Sequence, residues 1–264
     1  MTFRHALLLA LAPALLAATA HAAKPFDARD LVTLDRVNSP TLSPDGRMLV
    51  LAVREVDFEA NKAGTGLWIE NLLARDAAPP VRLTPEGMGA SSPAFSPDGR
   101  EVYFLSSRSG SSQLWKQAVG GGEPVQITDY PLDVGTFKLS PDGKAVAVSF
   151  NVFTDCGDLA CTKQRLDERA AGKASGVIHD QLFVRHWDTW KDGRRNQLFV
   201  ARLGDDGKAA GEPVRVSAGI EGDVPGVPFG GKDDYAWAPD GQSLVLSAKA
   251  VGREEAWSTN FDLW

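Results

Sequence analysis

Four copies of one four-residue turn constrain this chain more than anything else in it. They are Ser43-Pro44-Asp45-Gly46, Ser96-Pro97-Asp98-Gly99, Ser140-Pro141-Asp142-Gly143 and Ala238-Pro239-Asp240-Gly241. Proline presets the first turn dihedral, aspartate bonds its own backbone, and glycine supplies a positive φ. An apolar strand is predicted after each copy, over Met48–Val53, Glu101–Ser106, Ala145–Phe150 and Ser243–Ala248. One such turn is a hairpin signal; four in register are an internal repeat.

The remainder of each unit repeats as well. A third strand carries leucine beside an aromatic residue, at Leu67-Trp68, Leu114-Trp115, Leu198-Phe199 and Leu263-Trp264. Three units continue into a fourth strand that ends in a hydroxyl residue, over Val81–Thr84, Val125–Thr128 and Val214–Ser217. Four short strands per unit predict the blades of a β-propeller, an all-β fold. Gly99 to Trp115 spans 16 positions in the second unit, whereas Gly143 to Phe199 spans 56 in the third. About 40 residues are therefore inserted in the third blade, over about 151–196. The fourth unit reaches its third strand at Trp264. Propellers usually close with four to eight complete blades, so the expectation is three blades and part of a fourth, from the front of a longer protein. Self-association into a homo-oligomer is the other way to cover open sheet edges.

The net charge of −6 gives no footing for a nucleic-acid partner. Residues 1–22 have the pattern of a signal peptide. Arg4 and His5 precede the apolar run Ala6–Ala18, and Ala20-His21-Ala22 fits a small-x-small cleavage site. The partial propeller would then occupy 23–264, in the periplasm or outside the cell, with no membrane association after the leader is removed. The only two cysteines, Cys156 and Cys161, lie in the insertion. An exported protein permits a disulfide between them. A zinc site with His179 or His186 is the rival, but two cysteines without a second pair make a poor zinc pattern. No metal or organic cofactor is indicated.

Two helices and a further strand are expected outside the repeats. Asp27–Val37 has a short helical pattern and is expected to pack on the first blade. Thr162–Ala171 reads as a polar helix ended by Gly172. Asp180–Trp190 reads as a strand with an aromatic tail.

The sequence contains no Gly-x-Ser-x-Gly nucleophile elbow. His179 and His186 are the only histidines after the leader, and neither stands beside a serine in a known triad order. Two clusters could bind. The first runs Arg185-His186-Trp187-Asp188-Thr189-Trp190-Lys191-Asp192-Gly193. Its Trp187 and Trp190 either pack the insertion onto its blade or form the wall of a substrate channel, with Asp188 for a cation. The second is Arg253-Glu254-Glu255, between the second and third strands of the fourth unit. Adjacent carboxylates could clamp a peptide α-ammonium by charge-assisted hydrogen bonds; the plainer alternative is a solvated pair on a loop.

Together, DLVTLDRVNSPTLSPDG from Asp30, the repeated SPDG and LW elements, DCGDLACTK from Asp155, HDQLFVRHWDTWKDGRRNQLFV from His179 and REEAWSTNFDLW from Arg253 resemble a known family. The similarity is to the propeller domain of bacterial dipeptidyl peptidases and acylaminoacyl peptidases, in the prolyl oligopeptidase family of serine peptidases. It covers essentially the whole chain after the leader. The SPDG blades alone are less specific, since TolB-type periplasmic propellers share them. The resemblance implies a propeller that precedes an α/β-hydrolase domain, limits access of large substrates and supplies part of the peptide-binding surface. That C-terminal hydrolase domain is absent from this sequence, so no catalytic residue is assigned, and the expected partners are a peptide substrate and the hydrolase domain. The family's substrate-ammonium contacts are acidic side chains from the propeller side; Glu254, Glu255 and Asp188 are the eligible residues. Arg185, Trp187 and Trp190 complete the substrate-binding candidates. The expected function is substrate gating in an exported peptidase acting at peptide N-termini; the alternative is a TolB-like interaction propeller without catalysis.

Overall fold

The computed structural model describes residues 24–74, 78–180 and 182–264; the leader pattern at 1–22 lies outside the described residues. The turn repeat builds four antiparallel meanders. The first blade contains β1 (Arg36–Leu42), β2 (Met48–Asp57), β3 (Lys62–Asn71) and β4 (Val81–Arg82). The second contains β5 (Ala90–Phe95), β6 (Glu101–Ser106), β7 (Gln113–Ala118) and β8 (Val125–Gln126). In the third, β9 (Phe137–Leu139) and β10 (Ala145–Val152) lead into the insertion with its α2 helix (Leu159–Ala171) and a hairpin of β11 (Arg185–His186) and β12 (Thr189–Trp190). The blade resumes with β13 (Arg195–Leu203) and β14 (Ala209–Arg215). The fourth contains β15 (Tyr235–Trp237), β16 (Leu244–Ala248) and β17 (Asp262–Leu263). Strand order within each sheet follows the chain, with β10 paired directly to β13 across the insertion. These are the blades of a β-propeller.

Each turn is locked in the same way. In the first three blades the serine hydroxyl donates to the turn aspartate at 2.6 Å, as Ser43 to Asp45, Ser96 to Asp98 and Ser140 to Asp142. The same oxygen accepts the N–H of the residue that opens the second strand, from Met48, Glu101 and Ala145. The four glycines all have φ near +70°, a conformation that a Cβ disfavours. The turns also stack: an added Cβ at Gly99, Gly143 or Gly241 would stand 3.5 to 3.6 Å from the proline Cδ of the preceding blade's turn. In the fourth blade Ala238 brings no hydroxyl, and β16 opens one residue later in its unit, at Leu244 rather than Ser243.

The core lies between blades. Val102 and Phe104 face the first blade, and Tyr103 and Leu105 face the third, the alternation of a strand buried on both faces. Leu198 and Ala147 continue the core to Tyr235, Leu246 and Ala248 of the fourth blade. A buried hydroxyl closes each of the first three blades. Thr84, Thr128 and Ser217 accept the backbone N–H of Leu67, Leu114 and Leu198. Thr128 and Ser217 donate onward to the buried amides of Gln113 and Gln197. Those amides donate to carbonyls of the connector that leads to the next blade, at Tyr130, Leu132 and Gly222.

Three sequence expectations are corrected. Helix α1 covers only Ala28–Thr33, because Arg36 and Val37 pair with Arg54 and Val53 as part of β1. It has a capping box of Asp27 and Asp30 and no buried residue; its tie to the first blade is Arg29, which pairs with Glu59 and lies over the Phe58 ring. Helix α2 starts earlier than expected, because Asp158 caps it at Cys161 N. Asp180–Trp190 is not a continuous strand: only the two-residue arms of a tight hairpin pair. Cys156 and Cys161 form a disulfide at the first turn of α2.

The missing hydroxyl of the fourth turn gives the first prediction. Ser140→Ala leaves the buried Ala145 N–H without its acceptor and should cost about 1–2 kcal/mol. Ala238→Ser should restore the repeat's bond and raise Tm by about 2–4 °C. Thermal and urea unfolding of the two variants checks both signs; a destabilising Ala238→Ser would contradict the reading of the repeat.

Candidate functional site

The insertion and the fourth blade meet at a set of charged side chains. Between β16 and β17 the chain makes a short 3-10 helix, Gly252–Ala256, with Glu254 and Glu255 in its first turn. Lys249, just beyond β16, donates to the carbonyls of Glu255 and Ser258 at 2.8 and 3.0 Å and so holds the end of that turn. The two carboxylates then diverge. Glu255 accepts from Lys191 Nζ at 2.6 Å and from Arg195 Nη2 at 2.9 Å. Glu254 is exposed, and among the described residues its carboxylate is in no ion pair.

Arg195 opens β13, where the chain re-enters the blade. Its Nη1 reaches Asp223 at 3.1 Å, while the other Asp223 oxygen accepts the N–H of Asn196 at 2.8 Å. Burial pushes the Glu255 carboxyl up, but the hydrogen bonds from Lys191 and Arg195 outweigh it and leave the group below its ordinary 4.5. For Asp223 burial wins over the Asn196 and Arg195 contacts, and the carboxyl lies above its ordinary 3.8. The difference follows from burial and from partners: Asp223 is the more deeply buried, while Glu255 accepts hydrogen bonds from two cations and Asp223 from one.

Helix α2 and the hairpin bound an open cleft of about 1270 Å³. Leu166, Arg169, His179, Trp190, Arg195 and Glu255 are among its walls. The guanidinium groups of Arg165 and Arg169 both lie over the buried Phe153 ring, at 4.6 and 4.5 Å, and so tie α2 to the blade. Arg169 also donates to the Asp192 carbonyl at 2.7 Å, tying helix to hairpin. His179 stacks on Trp190 with centroids 5.9 Å apart, and the Arg185 guanidinium lies over the same ring at 5.4 Å.

Of the six candidate binding residues, Trp190 and Glu255 line the cleft. Trp187 and Asp188 form the hairpin tip, with Trp187 at φ +49°, a costly conformation for a bulky residue. Trp187 meets His186 and the Phe229 ring edge-on at 4.8 and 5.5 Å. Neither tryptophan is a buried anchor: Trp187 is 69% exposed and Trp190 60%. Phe153 under Arg165 and Arg169, and the pairs of Lys191 and Arg195 with Glu255, tie the insertion to its surroundings. Arg195 and Asp223 lie outside both candidate clusters of the sequence, and Lys191 stands in the first without an assigned role. Their signal was spatial: Lys191 and Arg195 meet Glu255 from 64 and 60 positions away.

The pairing predicts a pH-dependent stability. A carboxyl with a lowered folded pKa stabilises the fold above its unfolded pKa, and that contribution disappears as pH falls through the folded value. Glu255→Gln should therefore cost about 2 kcal/mol at pH 7. Its difference from the unsubstituted protein should shrink as pH drops below the ordinary 4.5. Urea unfolding across that range measures it; a difference that does not change with pH would exclude the ion pairs as its source.

No family model matches the chain. It is similar to dipeptidyl-peptidase 5 of Porphyromonas gingivalis, with 32% identity over 88% of this chain and 32% of the relative. It is also similar to dipeptidyl-peptidase 5 of Porphyromonas endodontalis, with 29% identity over 89% of this chain and 32% of that protein. The chain thus spans about a third of the length of the curated relatives it matches. Among solved structures, the uncomplexed acylaminoacyl peptidase of Pyrococcus horikoshii matches with a TM-score of 0.56 and 15% identity, covering 88% of this chain and 31% of that one. An acylaminoacyl peptidase in complex with Z-Gly-Gly-Phe-chloromethyl ketone matches with a TM-score of 0.58 and 14% identity, over 90% and 32% of the two chains. The structural likenesses carry the fold, a β-propeller, and the sequence relatives support a propeller domain of the dipeptidyl-peptidase type.

Proposed function

We propose that this propeller orients peptide N-termini for an exported serine peptidase whose nucleophile lies in another part of the full-length protein. The supporting observation is the division of labour between adjacent carboxylates. Glu255 is neutralised by Lys191 and Arg195 and held at the cleft, while Glu254 stands exposed beside it. An α-ammonium needs a carboxylate whose charge is not already matched, and a charge-assisted hydrogen bond to it is among the stronger polar contacts. Glu254 takes that role. Trp190, with His179 stacked on it, offers an apolar and polarisable surface to the peptide's side chains. The acyl transfer itself would use a serine nucleophile with its base, and this propeller contributes binding and orientation.

The names of the sequence relatives support a peptidase with a dipeptidyl specificity, and the leader-like pattern at residues 1–22 supports export. The test uses the full-length protein that contains this chain. It should release a dipeptide from a chromogenic amide with a free N-terminus. Glu254→Gln should raise KM for that substrate about tenfold with kcat nearly unchanged, the signature of lost uniform binding, and should leave N-blocked ligands almost unaffected. Absence of hydrolysis by the full-length protein would overturn the peptidase reading in favour of a TolB-like interaction propeller.

A further inference from the structure

We propose that Arg195, with Lys191, is a positioning residue that assigns the substrate ammonium to Glu254 by removing Glu255 from competition. The inference rests on the ammonium reading above and goes one step behind it, to the groups that prepare the acidic turn. Arg195 starts β13 opposite Val152 of β10, at the point where the insertion rejoins its blade. Its two terminal nitrogens are divided between two carboxylates, Asp223 and Glu255. Asp223 is itself fixed by a backbone N–H of β13, that of Asn196. The chain of contacts thus runs from the blade-three backbone through Asp223 and Arg195 to Glu255 on the blade-four helix. Lys191 adds a second tie from the end of the hairpin.

Burial and charge both favour a positioning role. The side chains of Arg195, Asp223 and Glu255 are 22%, 8% and 13% exposed, so their contacts are shielded from the screening that weakens surface pairs. Two cations, Arg195 and Lys191, balance two anions, Asp223 and Glu255. These four side chains balance one another, and Glu254 is the carboxylate of the 3-10 turn that is in no ion pair among the described residues. Buried ion clusters are a weak source of net stability, but they fix geometry: a planar guanidinium that serves two carboxylates sets their separation and angle. A lysine ammonium at the same position lacks the rigid planar fork that sets that separation.

The experiment uses the full-length protein with Arg195→Met and Arg195→Lys. The readings are KM and kcat for a free-amine dipeptidyl amide, and the inhibition constants of the released dipeptide and of its N-acetyl derivative. Arg195→Met is expected to raise KM and the free dipeptide's inhibition constant about tenfold, with kcat within about twofold and the N-acetyl constant unchanged. Arg195→Lys should recover part of the loss. An equal rise for the N-acetyl ligand, or a fall in kcat at constant KM, would overturn the positioning role. Should Arg195→Met fail to fold, Lys191→Met makes the same comparison at a more exposed position. The two readings separate cleanly: an ineffective Glu254→Gln removes the ammonium site, whereas an effective Glu254→Gln with silent Arg195→Met and Lys191→Met removes only the positioning.

Discussion

The stack of Ser-Pro-Asp-Gly turns is the constraint on which the rest of the molecule depends. In the first three blades the turn fixes the entry of the second strand through one serine oxygen that both donates to aspartate and accepts a backbone N–H. All four glycines lie in the left-handed region, and Gly99, Gly143 and Gly241 lie against the proline ring of the preceding turn. The turn therefore sets two things together, the register of its own hairpin and the distance to the neighbouring blade. Once that distance is set, strands such as β6 are enclosed on both faces, and the alternating side chains interdigitate in layers between blades. Terminal strands show the other side of the same rule: β2 buries Val50 and Ala52 on one face and leaves Leu49, Leu51 and Val53 only partly covered.

A repeat fold of this kind spends its sequence on sameness, so chemistry enters where the repeat is interrupted. The interruptions here are the long excursion between β10 and β13 and the short 3-10 helix between β16 and β17. Both leave the sheets at second-to-third strand connections of adjacent blades. Their closeness follows from the blade stack, and the contacts of Glu255 with Lys191 and Arg195 convert that closeness into a defined arrangement. Loops on a rigid scaffold are the usual place for binding groups; in this molecule the scaffold also delivers two of them to one another.

How far the fold was legible follows from which signals are local. The turn, the second strand, the Leu-aromatic third strand and the terminal hydroxyl are all within one unit, and all appear in the structure. The hydroxyl's purpose was not legible, because its partners are a backbone N–H in the neighbouring strand and, in the middle blades, a glutamine. That glutamine does repeat, as Gln113-Leu114-Trp115 and Gln197-Leu198-Phe199, and its polarity at a buried position was the missed clue. The hairpin at 185–190 was read as a strand because its aromatic residues carry high β-propensity, yet Trp187 lies in a left-handed turn that propensity does not register. At the candidate site, the clusters around Trp190 and Glu255 were visible as clusters. Their meeting was not, since nothing in residues 185–195 announces a contact with residue 255.

Adjacent glutamates on one helical turn pose an electrostatic problem that bears on what such a site can do. Two bare carboxylates repel, and each raises the cost of ionising the other. Two carboxylates that both receive cations from the protein have no attraction left for a ligand. The arrangement here separates the cases. Burial alone would push Glu255 up, and Lys191 and Arg195 bring it below its ordinary value, so it stays charged while its charge is matched at short range. Glu254, on the solvent side of the same turn, then carries a charge without a protein partner among the described residues. A site made this way presents one localised negative charge on a turn whose backbone is pinned by Lys249 and whose neighbour is pinned by Arg195. Localisation matters for a group the size of an ammonium, because its attraction to a single oxygen pair falls steeply once the pair can move. In the proposed ammonium site the neutralised carboxylate would thus matter as much as the free one: it would supply no attraction of its own, but it would keep its neighbour in place and leave it the more favourable acceptor.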